Sequence, residues 1–311
     1  MASAMVNTIL VGNKTIRVTE KLIKIASVEG EWYDEIEDPE FIIMKLGESK
    51  CKIDIFTFIQ RLPIKKQKYN YYMEWDNVAV LRIKNFDYWL KNQITKQSRT
   101  KLKKSERAGV EVKLIDFNSK TIEEIREIYN ESPIRRGKPF IHYKEDFETI
   151  NRDLSDRLEK ADFIGAYLQD ELIGFIKLLY AGETARTCVF ISKIKHRDKG
   201  TNNALLAKAV EICATRGILY LVYGQFTYGK KGTDSLSDFK RHLGFKKVDI
   251  PRYYIPLSVK GKITLQLRLH NGILLIFPSK LITILLYIRK KWYDLYARVC
   301  GILCRISKQD P

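Results

Sequence analysis

The sequence predicts an α+β fold whose sheet is mixed, mostly antiparallel and flanked by helices. Two patterns carry that expectation. Three β-type runs, Phe163 to Leu168, Leu172 to Tyr180 and Thr184 to Ser192, follow one another across Gln169-Asp170 and Ala181-Gly182-Glu183, connections short enough for an antiparallel meander. A helix from Asn203 to about Arg216 then carries Leu206, Val210 and Cys213 at helical spacing, stops at Gly217 and leads into a strand from Ile218 to Tyr223. A strand reached through a helix lies parallel to its neighbour, so one parallel pair enters the sheet. Where such a pair splays, its parted edges leave a slot with free backbone groups.

The remaining elements follow in order. Phe41 to Leu46 is a β-like run, and Ile53 to Gln60 alternates like a strand or short helix. Tyr69, Tyr71, Tyr72 and Trp75 precede another β-like run, Val78 to Ile83, and Phe86, Trp89, Leu90 and Ile94 recur at helical spacing. From Lys91 to Arg107 stand seven basic residues against Glu106 alone, a basic helix closed at Gly109. It reads either as a solvated face or as a phosphate dock. Val110 to Ile115 is a strand, and Thr121-Ile-Glu-Glu124 is a capping box opening a helix with Ile122, Ile125, Ile128 and Tyr129 on one face. Pro133 ends it. A polar loop with Arg135, Arg136, Gly137 and Pro139 precedes a charged helix around Phe147 to Leu158. After the meander, a loop from Lys193 to Thr201 enters the long helix, Ser235 to Leu243 is a short helix, and Val248 to Leu257 completes the sheet.

At 311 residues and 45% hydrophobic content, the chain has room for about two domains with real cores, which excludes wholesale disorder. Its net charge of +18 points to a phosphate-rich partner: nucleic acid, an anionic membrane or a phosphorylated substrate. Five scattered cysteines offer neither a disulfide framework nor zinc spacing, and a reducing compartment is expected. The first residues read as no secretory signal. The longest charge-free apolar stretch near the end, Leu269 to Ser279, is too short for a bilayer span. These features predict a cytoplasmic protein, peripheral to the inner membrane face. The last 54 residues hold ten basic residues and two acids (Asp294, Asp310). Their apolar residues from Leu281 to Leu303 fall within about 40° of one line on a helical wheel. Residues 258–311 are therefore read as a basic amphipathic helical tail, lying on an anionic membrane surface or docking on the protein's own domains or a second copy.

The four histidines share no metal-ligand spacing, so no metal is expected; His196 is the best placed for catalysis. Nucleophile elbows, P-loops, dinucleotide fingerprints and zinc motifs are missing, which removes most hydrolases, kinases and dehydrogenases. What remains is the strand–loop–helix segment from Cys188 to Leu206. Its loop brings Arg197, Lys199, Gly200 and Asn202 to a helix N-terminus, where free amides and the helix dipole favour a phosphate.

Three local patterns now give the segment from Ile94 to Leu257 a family likeness. One is Ser98-Arg99 through Lys103-Lys104 followed by Ala108-Gly109-Val110. Another is Ile173-Gly174-Phe175, followed by the helix with Ala204, Leu205, Leu206 and Ala209 and its terminal Gly217. The last is Leu236 to Phe245, with Phe239-Lys240 ahead of Gly244-Phe245. Together they resemble the GNAT superfamily of N-acyltransferases, and within it the Fem-type branch that adds amino acids to peptidoglycan precursors. The resemblance implies a GNAT-like catalytic domain over 98–257, a degenerate GNAT-like half over 1–97, and the tail over 258–311. Two departures stand out. Acetyl-CoA-using members have an Arg/Gln-x-x-Gly-x-Gly/Ala loop, and here Arg197-Asp-Lys-Gly200-Thr-Asn202 ends in Asn. Many of them also carry a Tyr proton donor where this chain has Lys240. Both departures favour a Fem-like donor such as aminoacyl-tRNA, with acyl-CoA as the alternative co-substrate and no tightly bound cofactor.

The resemblance further implies direct transfer, in which an amine attacks an activated carbonyl and backbone amides or a cation stabilise the oxyanion. Lys240 would supply that cation, with His196 or Asp198 as proton acceptor. Arg135 and Arg136 would grip a phosphate or carboxylate of the acceptor, a phosphorylated or lipid-linked envelope precursor. Tyr223, Tyr228 and Lys230, at or after the strand lining the cleft, are further acceptor-side candidates. The rival readings are an acyl-CoA-dependent amino-sugar N-acyltransferase, a nucleic-acid-binding module, and an inactive scaffold that kept the fold.

Overall fold

The structure, a computed structural model, describes residues 6–19, 22–33, 35–64, 66–228 and 235–271. The chain begins with β1 (Val6–Val11), β2 (Lys14–Thr19), β3 (Ile25–Val28), α1 (Pro39–Glu48), β4 (Ile55–Ile59) and β5 (Tyr72–Arg82). It continues through α2 (Phe86–Tyr88), α3 (Lys96–Arg107), β6 (Glu111–Ile115), α4 (Ser119–Asn130), the short strands β7 (Ile134–Arg135) and β8 (Lys138–Pro139), and α5 (Phe147–Leu154). Then come β9 (Ala161–Leu168), β10 (Glu171–Ala181), β11 (Thr184–Ser192), α6 (Thr201–Thr215), β12 (Tyr220–Val222), α7 (Ser235–His242), β13 (Lys246–Pro256) and α8 (Val259–Gln266). No helix among the described residues is long and apolar enough to cross a membrane.

The meander, its following helix and the returning strand stand where the sequence puts them. Two local expectations do not hold. Phe41 to Leu46 lies in α1, because Asp38 accepts a hydrogen bond from the Phe41 amide at 3.0 Å, Pro39 starts the helix, and Ile42 and Leu46 bury one face. A six-residue apolar run has no period that separates helix from strand. The capping box is also absent. Asn118 caps α4 by accepting from the Thr121 amide at 3.0 Å, while the Thr121 hydroxyl donates to the Asp116 carbonyl at 2.7 Å and Glu124 accepts from the Tyr167 hydroxyl at 3.1 Å.

The described chain divides into two compact units. Residues up to Val78, with Lys247 onward, form the first, and Ala79–Lys246 the second. These borders differ from those at 97/98 and 257/258. Leu81, Trp89 and Ile94 enter the core of the second unit, whereas β13 pairs with β4 from Arg252↔Ile59 to Pro256↔Ile55. Of the expected tail, residues 258–271 form α8 and a short turn in the first unit; the rest lies outside the described residues.

In the first unit the sheet runs β1-β2-β3-β4-β13, antiparallel except for the parallel pair β3–β4. Its core gathers Ile16, Val18, Ala26, Phe56, Phe58 and Tyr253. The second unit runs β6-β9-β10-β11-β12-β5, antiparallel except for β11–β12. Consecutive strand residues face opposite sides, so Phe163 packs with Ile125, Ile128 and Ile150, and Ile164 packs with Leu205, Leu206 and Trp89. The two units share a plan: antiparallel pairings (two in the first unit, three in the second), then a parallel pairing joined through a helix (α1 or α6), and a closing antiparallel strand.

Candidate active site

The site begins where the second unit's parallel pair ends. β11 and β12 pair from Thr184↔Tyr220 to Arg186↔Val222 and no further. Directly beyond, the β10–β11 register shifts so that Cys188 is an extra residue between Thr187 and Val189. Such a bulge bends its strand and re-aims its side chains. β12 instead passes into Tyr223 and Gly224, which keep bonding to Ala79 of β5 at 2.9 Å. The strands part, and the expected slot opens as a cleft of about 770 Å³.

The cleft is lined by the β7–β8 hairpin and its exit (residues 135–136 and 138–141), the free part of β11, Arg197, Asn202, the segment after β12, and α7. Every charged side chain among its described lining residues is cationic: Arg135, Arg136, Lys138, Arg186 and Arg197. Among the described residues, Arg135 Nε, Thr187 Oγ1 and Asn202 Oδ1, buried polar atoms of cleft-lining side chains, have no hydrogen-bond partner. Thr187 is 7% exposed and the Arg135 side chain 9%. Unsatisfied groups buried this deeply are costly, and a ligand's oxygens and hydrogens would satisfy them.

Arg135 is already anchored. Its guanidinium donates to the Ser192 carbonyl at 2.8 Å, to the Ile128 carbonyl at 2.6 Å and to Glu131 at 3.0 Å, and lies over the Phe140 ring. Burial holds its pKa below the usual arginine value despite Glu131. Glu131 also accepts from the amides of Ile194 at 2.5 Å and Lys195 at 2.9 Å, which ties the α4 end to the loop that carries Arg197. Arg135 therefore braces the wall, and Nε is its atom left for a ligand. Arg136, at φ 54° in the hairpin turn, is exposed beside Tyr223.

Tyr223 stands against Phe190, Phe239 and Phe245, with ring centroids 5.2, 6.5 and 6.0 Å away. Burial pushes its phenol up to about 12, against the opposing pull of Arg136, so it is a proton-bearing donor throughout the neutral range. Tyr228 is at the rim, 45% exposed. Lys240 is fully buried and is not on the cleft surface. Its ammonium donates to the Gln225 carbonyl at 2.5 Å and sits 4.6 Å from the Tyr223 ring and 5.0 Å from that of Tyr228. It underpins the two tyrosines and leaves the reacting space to them. α7, which carries it, is fixed at both ends. The Ser237 hydroxyl donates to the Phe226 carbonyl at 2.8 Å, and Trp89 Nε1 and Ser98 Oγ donate to the terminal Leu243 and His242 carbonyls, each at 3.0 Å.

On the donor side, Arg197 and Asn202 line the cleft, but their neighbours do not. Lys199 and Asp198 pair with each other at 3.5 Å outside it. His196 is 3.4 Å from Glu171, which also binds Lys193 at 2.6 Å and Lys195 at 2.7 Å, so the proposed proton acceptors His196 and Asp198 both lie away from the lining. Gly200 is buried at φ +77°, and a Cβ there would stand 2.5 Å from the Lys101 carbonyl; only glycine lets α3 meet the start of α6. Lys230 lies outside the described residues. Sequence reading missed Arg186, Thr187 and Phe190, since nothing in their alternating run betrays the bulge that turns them inward.

No family model matches the sequence, and no curated protein matches it. Solved structures do match. The chain is similar to L-PGS from Bacillus licheniformis, at TM-score 0.58 and 16% identity over 85% of this chain and 88% of that one. It is similar to FemX at TM-score 0.57 and 12% identity, over 85% and 90% respectively. A C-terminal domain assigned to a lysylphosphatidylglycerol synthetase of Agrobacterium fabrum matches at TM-score 0.56 and 12% identity, over 84% and 87%. Identities this low establish a shared fold. That fold is the GNAT-like, mixed and mostly antiparallel α+β fold that the sequence patterns implied.

Proposed function

We propose that the chain is an N-acyltransferase that moves an aminoacyl group from a carrier onto an amine of a phosphorylated or lipid-linked envelope precursor, at the inner face of the membrane. The observation that carries this reading is the cationic cleft at the parted strands, with buried hydrogen-bonding atoms held open to it. The resemblance in fold to FemX and to a lysylphosphatidylglycerol synthetase domain supports an aminoacyl donor, with acyl-CoA as the runner-up.

In this reading Arg136 and Arg197 hold a phosphate, and the aromatic wall of Phe190, Tyr223 and Phe239 excludes water. The acceptor nitrogen attacks the donor carbonyl; a C–N bond forms and the ester C–O bond to the carrier breaks. The nitrogen's surplus proton leaves to water, and the leaving oxygen is protonated in turn. Tyr223, protonated at neutral pH, donates a hydrogen bond to the developing oxyanion. Lys240 acts as a positioning residue by fixing the Tyr223 and Tyr228 rings.

The test is a transfer assay read by mass spectrometry. The protein is incubated with aminoacyl-tRNA or with acyl-CoA and an amine-bearing, phosphorylated envelope precursor. The precursor should gain one aminoacyl residue from the tRNA, and Tyr223→Phe should slow the gain at least tenfold. A gain from acyl-CoA alone would transfer the reading to the runner-up; no gain from either donor would overturn it.

A further inference from the structure

We infer that the solvent face of α3 is a docking surface for the phosphate backbone of double-stranded nucleic acid. Lys96, Lys101, Lys103, Lys104 and Arg107 are all exposed on this 12-residue helix, and none is paired with a carboxylate among the described residues. The remaining cation of the helix is already used. Arg99 donates to the carbonyls of Leu90, Lys91 and Ile94 at 3.1, 3.2 and 2.8 Å, fastening the preceding turn. Like charges at i,i+4, here Lys103 and Arg107, destabilise a helix by about 0.2–0.5 kcal/mol per pair. α3 tolerates them because Thr95 caps it and Ser98, Leu102 and Ser105 bury its other face. The repulsion contributes nothing to the fold and is relieved by a polyanion.

The pattern of charges fits a duplex. Lys96, Lys103 and Arg107 fall within about 40° of one line and span about 17 Å of helix axis, with Lys104 on the flank. A duplex offers one phosphate per roughly 1.7 Å of its own axis, so one helix face meets several at once. A lipid surface suits α3 less well, since its only apolar side chain, Leu102, is 8% exposed and faces the core. Unstacked single strands call for aromatic platforms, and α3 has none. The surface is also well placed. Lys101's carbonyl abuts Gly200, so α3 borders the start of α6, where Asn202 lines the cleft. This surface stands without the cleft reading. Only its joint role, presenting an RNA-borne acyl group to the cleft, rests on that reading.

Fluorescence anisotropy with a labelled RNA hairpin of 12 base pairs, and with a DNA hairpin of the same sequence, tests the proposal at 50 and 200 mM salt. Four phosphate contacts, from Lys96, Lys103, Lys104 and Arg107, predict a loss of affinity of roughly 150-fold across that range, from a slope of about −0.9 per contact. The triple variant Lys96→Gln/Lys103→Gln/Arg107→Gln should lose only about 3.5-fold by the same slope. It should also bind at least tenfold more weakly at 50 mM salt. Equal binding of both hairpins supports recognition of the backbone, and tighter RNA binding names RNA as its source. The inference is overturned if the triple variant keeps the wild-type salt dependence. It is equally overturned if the wild type ignores both hairpins at 50 mM salt while binding phosphatidylglycerol vesicles through these residues. Pyrophosphate binding in the cleft, measured on the same variant, should be unchanged. Failure of transfer with hairpin binding intact would count against the cleft reading alone.

Discussion

In the first unit, β3 and β4 stop pairing at Ser27 and Thr57, and the Arg252 side chain of β13 reaches this strand end. Its guanidinium binds Glu31 at 2.8 Å and Asp76 at 3.3 Å and reaches Thr57 Oγ1 at 3.5 Å. Burial alone would lower the Arg252 pKa, but Glu31 and Asp76 raise it. Tyr253, Phe58, Tyr69 and Tyr71 pack edge and face around the same strands, and the Tyr253 hydroxyl donates to Gln60 at 2.8 Å. In the second unit, β11 and β12 part at the corresponding place. There Arg136, Lys138 and Arg197 face a cleft with no carboxylate among its described lining residues. One strand plan therefore yields an arginine paired with two carboxylates at one strand end and, at the other, a cleft whose described lining residues hold cations without a carboxylate among them. The first arrangement stabilises the fold. The second is left for a ligand.

The two strand ends should respond to mutation in opposite ways. Glu31→Ala strands a mostly buried guanidinium and should cost about 3–5 kcal/mol in urea unfolding, with Arg252→Met in the same background recovering most of it. Next, Lys240→Ala should cost about 2–4 kcal/mol through the cavity left and the Gln225 carbonyl it strands. Lys240→Met should keep the fold yet slow transfer, because the volume is retained and the cation under the tyrosines is lost. Gly200→Ala should cost about 1–3 kcal/mol, since φ +77° and the Lys101 carbonyl both oppose a Cβ, and it should weaken pyrophosphate binding as Arg197 and Asn202 shift. Arg136→Gln should leave stability within about 0.5 kcal/mol but reduce pyrophosphate affinity about tenfold by titration calorimetry. An unfolding penalty at Arg136 as large as that at Glu31 would erase the contrast.

The smallest effect concerns acid. Burial pushes the Glu171 carboxyl up, but Lys193 and Lys195 outweigh it and hold the group at about 2, below its ordinary 4.5. The folded state then binds fewer protons than the unfolded state between those values. Glu171's contribution is complete above about pH 4.5 and is lost as pH falls toward 2. Glu171→Gln should flatten that part of the stability profile, as read by melting temperature against pH.

Much of the second unit was legible because its signals are local. Two-residue and three-residue connections, a helix stopped at Gly217 and a helical stripe in α4 each declare one element. Where the signal was long-range, sequence reading failed. That Val248 to Leu257 is a strand was legible, but its partner β4, nearly 200 residues earlier in the chain, was not, since no periodicity encodes a partner. The site divides the same way. Arg135, Arg136, Arg197, Asn202, Tyr223 and Tyr228 line the cleft because they flank a strand end or a helix start. Lys240 was found by pattern but placed a layer too far forward, and His196 was claimed by Glu171 across the fold. Thr187 and Arg186 were missed because a bulge, invisible in one sequence, decides which way they point.

Titration calorimetry of pyrophosphate against the wild type and against Arg136→Gln/Arg197→Gln addresses the open gap most directly. Binding by the wild type that weakens at least thirtyfold in the double variant, with unchanged unfolding, is the result this account predicts. Equal affinity for both proteins, or binding that instead follows Arg252→Met, would contradict it.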